Sequence, residues 1–148
     1  MTDIQDYQTI AMPSHKLQAL DRLVGTWELS GDTTGIVTYR WMEGGFFLVQ
    51  DIDIHLFGNH VKAVEYIGHL HPFGQEPSDD VYSRVYDTQG NTLDYVYELE
   101  GDVLTIWGGE KGSPAYFKGE FIDDDMNEGA WFFPGGGGYT TTMKRKKE

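Results

Sequence analysis

Phe46-Phe47-Leu48-Val49-Gln50-Asp51-Ile52-Asp53-Ile54-His55-Leu56-Phe57 is followed by Gly58-Asn59 and then by His60-Val61-Lys62-Ala63-Val64-Glu65-Tyr66-Ile67-Gly68-His69. Both long runs read as β-strands, joined by a tight turn at Gly58-Asn59. Side chains of a strand alternate between faces, so a two-residue turn decides which faces match across the hairpin. One shared face holds Phe46, Leu48, Gln50, Ile52, Ile54 and Leu56 with Val61, Ala63, Glu65, Ile67 and His69. The other holds Phe47, Val49, Asp51, Asp53, His55 and Phe57 with His60, Lys62, Val64 and Tyr66. Two aspartates and a lysine mark the second face as the wet one. The first is almost wholly aliphatic and should face a core. Gln50, Glu65 and His69 are embedded in it. An inward carboxylate is costly unless it is paired or hydrated, and a cavity lined with a few polar groups would explain it.

The rest of the chain repeats this rhythm. After Gly25, strand-like runs fall at about 26–31, 35–43, 46–57, 60–70, 80–88, 92–100, 103–108, 114–122, 129–133 and 138–146, separated by glycine or Asx turns. Short strands at this spacing predict an all-β sandwich or barrel. Because most turns are short, sequence neighbours should be sheet neighbours, and closure of an up-and-down antiparallel barrel would remove exposed edges. Residues 1–12 read as a flexible arm and 13–148 as a single domain. Pro13-Ser14-His15 opens a short helix capped by Ser14, with Leu17, Leu20 and Leu23 or Val24 on one side. His71 to Asp80, with two prolines, reads as a rim loop. Gly135 to Gly138 reads as a hairpin loop, not a phosphate-binding turn.

The same alternation nominates an interior. A turn near Glu43-Gly44-Gly45 places Val37, Tyr39 and Trp41 on the face of Leu48 and Gln50. Downstream, Tyr82, Arg84 and Tyr86 are expected to face inward with Leu93, Tyr95, Tyr97 and Leu99, and then with Leu104 and Ile106. Ser83, Asp87, Asp94, Glu98 and Glu100 are expected in water. Phe117 and Phe121 face in; the register of Trp131 and Phe133 is ambiguous. The candidate ligand-binding set is therefore Tyr39, Trp41, Gln50, Glu65, His69, Tyr82, Arg84, Tyr95 and Tyr97. Pockets of this kind are mostly apolar and aromatic with a few placed polar groups. The competing expectation is a filled barrel with Glu65 and Arg84 as a structural ion pair.

Composition limits the function classes. The 148 residues carry a formal net charge of −13, which argues against nucleic acid and anionic membranes as partners. The basic stretch Lys144-Arg145-Lys146-Lys147 reads as a solvated end. There is no cysteine, so thiol chemistry and disulfides are excluded, and a zinc site would need histidine and carboxylates alone. No signal-peptide pattern and no membrane-length apolar run is present, which leads to a cytoplasmic expectation. His69 and His71 share a strand face, but Glu65 lies roughly 13 Å from His69 at strand rise, too far to share an ion. No metal site is expected. Nor is there a nucleophile elbow, P-loop or dinucleotide fingerprint.

Leu23-Val24-Gly25-Thr26-Trp27-Glu28-Leu29, following a short helix, resembles the Gly-x-Trp opening of lipocalin-like (calycin) barrels. Tyr39 to Val49, Val64 to Gly68 and Gly138 to Met143 look similar to a bacterial branch of these domains of unknown function. The resemblance implies that Trp27 closes the barrel floor beneath the helix, with Arg145 or Lys144 packed over it. It also implies a pocket, since related barrels bind fatty acids, retinoids or haem and a few are cyclases or isomerases. Nitrobindin-type haem barrels are similar in outline but use a histidine near the C-terminus. This chain has none after His71, so no cofactor is expected. The leading functional expectation is binding of a small hydrophobic or amphipathic molecule with a polar or anionic group. Trp41 and the tyrosines would form the walls, Arg84 and Gln50 would orient the polar end, and Glu65 would pair with Arg84 or the ligand. The alternatives are a cyclase, isomerase or hydrolase using Glu65 as general acid/base, and an interaction module with a filled barrel. Homodimerisation is left open.

Overall fold

The computed structural model describes residues 12–147; the expected arm at 1–12 lies outside them, apart from Met12. Ten antiparallel strands form a closed barrel: β1 (Gly25–Gly31), β2 (Thr33–Trp41), β3 (Leu48–Leu56), β4 (Asn59–His69), β5 (Val81–Asp87), β6 (Thr92–Glu100), β7 (Val103–Gly108), β8 (Tyr116–Asp123), β9 (Met126–Phe132) and β10 (Tyr139–Arg145). Each strand pairs with its sequence neighbours, and β1 closes the ring on β10. This is the expected up-and-down architecture, in which no strand keeps an open edge.

The central hairpin has the faces expected of it. Gln50 pairs with Glu65, Ile52 with Ala63 and Leu48 with Ile67. The turn itself is Phe57-Gly58, one residue earlier than expected, and both residues have positive φ, 51° and 77°. That is the type I′ geometry whose twist suits adjoining strands. Moving the turn by one residue changes each pairing by two and leaves the faces intact.

One end of the barrel is plugged by α1 (His15–Gln18) and the 3-10 turn Ala19–Leu23 that continues it. Ser14 caps the helix, its hydroxyl oxygen accepting from the Leu17 N–H. Leu17, Leu20 and Leu23 are fully buried, and each contributes about 1.5–3 kcal/mol by leaving water. Beneath them lies Trp27, also fully buried, whose indole N–H donates to the Leu23 carbonyl at 2.8 Å. The Arg145 guanidinium sits 4.2 Å from the Trp27 ring centroid, donates to the Val24 and Arg22 carbonyls, and pairs with Asp125. The expected cation over the tryptophan is therefore Arg145, and the basic stretch is in part a structural clasp.

The loop between His69 and Val81 lies on the rim of the barrel. It lies at the plugged end: Lys16 Nζ donates to the Asp79 carbonyl, and His69 is held by Ser78. The opposite end is bounded by the Phe57-Gly58 turn, the β5–β6 turn and the Phe133–Gly138 loop, and carries no helix among the described residues.

Candidate functional site

Glu65 faces the barrel interior and is almost completely buried, at 2% exposure. It lies mid-strand in β4 between Gln50 on β3 and Val85 on β5. Ser83, two residues before Val85 on the same face of β5, donates its hydroxyl to Glu65 Oε2 at 2.7 Å. Tyr97, one strand further on β6, donates its hydroxyl to Oε1, also at 2.7 Å. Tyr39 pairs with Gln50 across β2 and β3, and its hydroxyl interacts with Tyr97 and Gln50. Four polar side chains, from β2, β3, β5 and β6, thus gather around one carboxyl on β4.

Burial is the main influence on that carboxyl. It pushes the Glu65 pKa from 4.5 up to about 7, against the opposing hydrogen bonds from Ser83 and Tyr97. Burial, and secondarily the Glu65 charge, lifts the Tyr39 and Tyr97 hydroxyls far above the ordinary tyrosine range, so both remain protonated donors. Tyr95 is pushed up to about 12 by the same two causes. Near neutral pH the cluster can therefore gain or lose one proton, at Glu65. Both neighbouring hydroxyls can rotate to accept as well as donate.

Between this cluster and the open end, inward positions are small or incompletely covered. Ala63 lines β4 and Val85 lines β5, while Ile52, Ile54, Tyr95 and Trp131 are only partly buried. Leu93 faces inward opposite Val85, yet is 47% exposed. In the plugged half the inward residues Trp27, Leu48 and Ile67 have no exposure at all. An apolar side chain that faces inward yet touches solvent marks a mouth. Aromatic rings surround it: Trp131 stacks on Phe133 at 6.0 Å between centroids and lies 5.6 Å from Tyr95, and Phe57 meets Tyr139 edge-on at 5.5 Å.

A second polar group faces the interior from the opposite wall. Asn127 on β9 is 1% exposed, and neither its amide N–H nor its carbonyl has a hydrogen-bond partner among the described residues. The Thr141 hydroxyl on β10 is likewise unpartnered. The Asn127 side chain lies over Gly119, where a Cβ would collide with its amide oxygen and with the Phe117 ring. Glycine at 119, and at 129 beside it, is therefore required for these two side chains to fold inward.

Several expected site residues lie elsewhere. Arg84 is on the outer wall, half exposed, in a two-pronged pair with Asp94 at 2.6 and 3.0 Å. Tyr82 points to the same outer side, paired with Gly68 and Val96, and Tyr86 is exposed. Ser83, expected in water, takes the inward position. The cause is the β5–β6 turn: Asp87 bonds Asn91 across Thr88-Gln89-Gly90. A three-residue loop joins positions of like parity, so Tyr95 faces the side of Ser83, not of Arg84. His69 is at the plugged end, its Nδ1–H donating to the Ser78 carbonyl at 2.7 Å and its Nε2 accepting from Ser14 at 2.6 Å. It anchors the helix and loop. Trp41 also serves that end, donating to Asp21 Oδ1 at 2.7 Å. Tyr39, Gln50, Glu65, Tyr95 and Tyr97 do lie together.

Ser83, Asn127, Trp131 and Tyr139 were missed. Counting the residues of the β5–β6 turn correctly would have found Ser83. Trp131 and Tyr139 needed the β9–β10 register, in which they pair.

Two shallow concavities, about 430 and 480 Å³, lie on the outer wall. The first is lined by Thr38, Asp51, Asp53, Lys62 and Tyr86 among others, the second by Glu98, Thr105, Trp107, Tyr116 and Lys118. Their charged groups are solvated, and neither reaches Glu65. Among the described residues no group of three His, Asp or Glu side chains is placed to hold a metal ion, and no helix is long and apolar enough to cross a membrane. No family model matches the sequence, and no curated protein matches it significantly.

Proposed function

We propose that this chain is a lipocalin-like (calycin) barrel that binds a small, mostly apolar molecule through its open end, with the polar end of that molecule against Glu65 and Tyr97. The carrying observation is a buried carboxyl, with hydroxyl donors and no cation, below an aromatic and incompletely covered mouth. Plain packing does not require such a cluster, because an apolar residue at position 65 would fill the barrel at less desolvation cost. The Gly25-Thr26-Trp27 opening, the helix plug and the Arg145 clasp support the family reading.

The expected anionic head group is given up in this proposal, since Arg84 is outside the barrel. A polar end that donates hydrogen bonds suits the floor better. Native mass spectrometry of freshly purified protein should detect a retained molecule. Tryptophan fluorescence should respond to amphiphiles through Trp131. No retained molecule, together with no fluorescence response to a broad amphiphile panel, would sink the proposal.

A second reading, an enzyme using Glu65 as general acid/base, is favoured by the carboxyl pushed up to about 7, the range in which a base works well at neutral pH. Incubating any retained molecule with wild type and with Glu65→Gln separates the two. A carrier leaves the molecule unchanged in both, whereas an enzyme converts it, and the variant is slower by about 10²-fold or more.

A further inference from the structure

We infer that the polar end of the molecule is a protonated amine, held by the Glu65 carboxylate inside the barrel. This rests on the interior-binding proposal and adds the chemical class of the ligand.

The side chains facing Glu65 are Tyr39 from β2, Gln50 from β3, Ser83 from β5 and Tyr97 from β6, with Tyr95 close enough to be influenced by its charge. None of these is cationic. Among the described residues no ion pair involves Glu65, and Arg84, the cation expected to face it, is committed to Asp94 on the outer wall. An ionised carboxylate has about four lone-pair directions, and the protein fills two, one at each oxygen. An ammonium supplies both the missing charge and the missing donors. A carboxylate or phosphate end would place like charges together in a dry site, at a cost that rises as the local dielectric falls. A hydroxyl end would add a donor without a charge.

The remainder of the path is consistent with a cationic amphiphile. Trp131, Tyr139, Phe133 and Phe57 present ring faces and edges at the mouth, and aromatic faces attract ammonium groups. A net charge of −13 raises the local concentration of cations. Ile52, Ile54, Val85 and Leu93 offer the apolar wall that a short alkyl chain would cover.

Ammonium binding should also move a proton. Near pH 7 the empty site holds Glu65 as a mixture of acid and carboxylate. Pairing with a cation draws it to the carboxylate, so the proton leaves to solvent. An alkylamine is already protonated there and takes none up. Roughly half a proton should be released per amine bound at pH 7.

Isothermal titration with octylamine, 1-octanol and octanoate, on wild type and Glu65→Gln, tests this. The expected result is one octylamine site per chain, at least tenfold tighter than octanol, with octanoate weakest. Glu65→Gln should cost octylamine at least tenfold and octanol less than about threefold. The heat of octylamine binding to wild type should depend on buffer ionisation enthalpy, which needs no variant and survives a folding failure of Glu65→Gln. Equal binding of octanol and octylamine, without proton release, overturns the amine inference and leaves the interior pocket standing. Many weak octylamine sites that survive Glu65→Gln would identify surface charge as the binder and overturn it too. No binding by any of the three overturns the amine inference and the pocket together.

Discussion

Replacing Glu65 by glutamine removes the group of the interior cluster that titrates near neutral pH while keeping its size, so the pH dependence of stability isolates its ionisation. The folded-state pKa is raised, from 4.5 to about 7, chiefly by burial. Below 4.5 the carboxyl is neutral in both the folded and unfolded chain, and its contribution is fully present. Between 4.5 and 7 the unfolded chain releases a proton that the folded chain retains, so stability falls as pH rises. Above 7 both forms are ionised and the full penalty for a buried charge remains. For these two values the penalty grows by roughly 2.5 kcal/mol between pH 5 and pH 8.5. Glutamine has no such penalty. Urea unfolding followed by tryptophan fluorescence at several pH values should therefore show Glu65→Gln gaining on wild type by about that amount across the window. The other carboxylates are common to both proteins and cancel in the difference. Parallel stability curves would mean that Glu65 ionises as freely folded as unfolded, and the dry, cation-free floor would be wrong.

Three other outcomes follow from the same geometry. Arg84→Ala should leave the denaturant midpoint nearly unchanged, because its pair with Asp94 is half exposed on both sides, and should leave amphiphile binding unchanged; a tenfold loss of binding would return Arg84 to the site. Trp27→Ala should cost about 3–5 kcal/mol in denaturant unfolding, through the cavity under the helix, and a cost under 1 kcal/mol would refute the plug as the main core. Asn127→Leu replaces an unpartnered buried amide by an apolar side chain of similar size and should stabilise the ligand-free protein by about 1 kcal/mol or more, measured as a rise in thermal midpoint; a fall would show that the amide is hydrogen-bonded in solution.

Much of the interior was legible because face assignment travels through short turns. From the Phe57-Gly58 turn, alternation alone places Gln50 opposite Glu65, and one turn upstream it places Tyr39 opposite Gln50. Even a misplaced turn does no harm there, since a shift of one position preserves the faces. Reading failed at Arg84 and Ser83 for two reasons. The long loop from 70 to 80 carries no register, and the next turn holds an odd number of residues, which reverses the expected faces.

By itself the sequence determined the strand rhythm, a short helix with its Ser14 cap, and an inward carboxylate at position 65, whereas Trp27 beneath that helix was what the family resemblance implied. The first three are local consequences of periodicity and turn chemistry. Only the tertiary structure decided what surrounds that carboxylate. Closing ten strands into a ring brings Ser83 and Tyr97 to the two oxygens of Glu65, turns Arg84 outward to Asp94, and gathers Trp131 and Tyr139 at the mouth. The physical reason is that contacts across a barrel depend on registers added strand by strand, and a single unread turn changes which side chains meet.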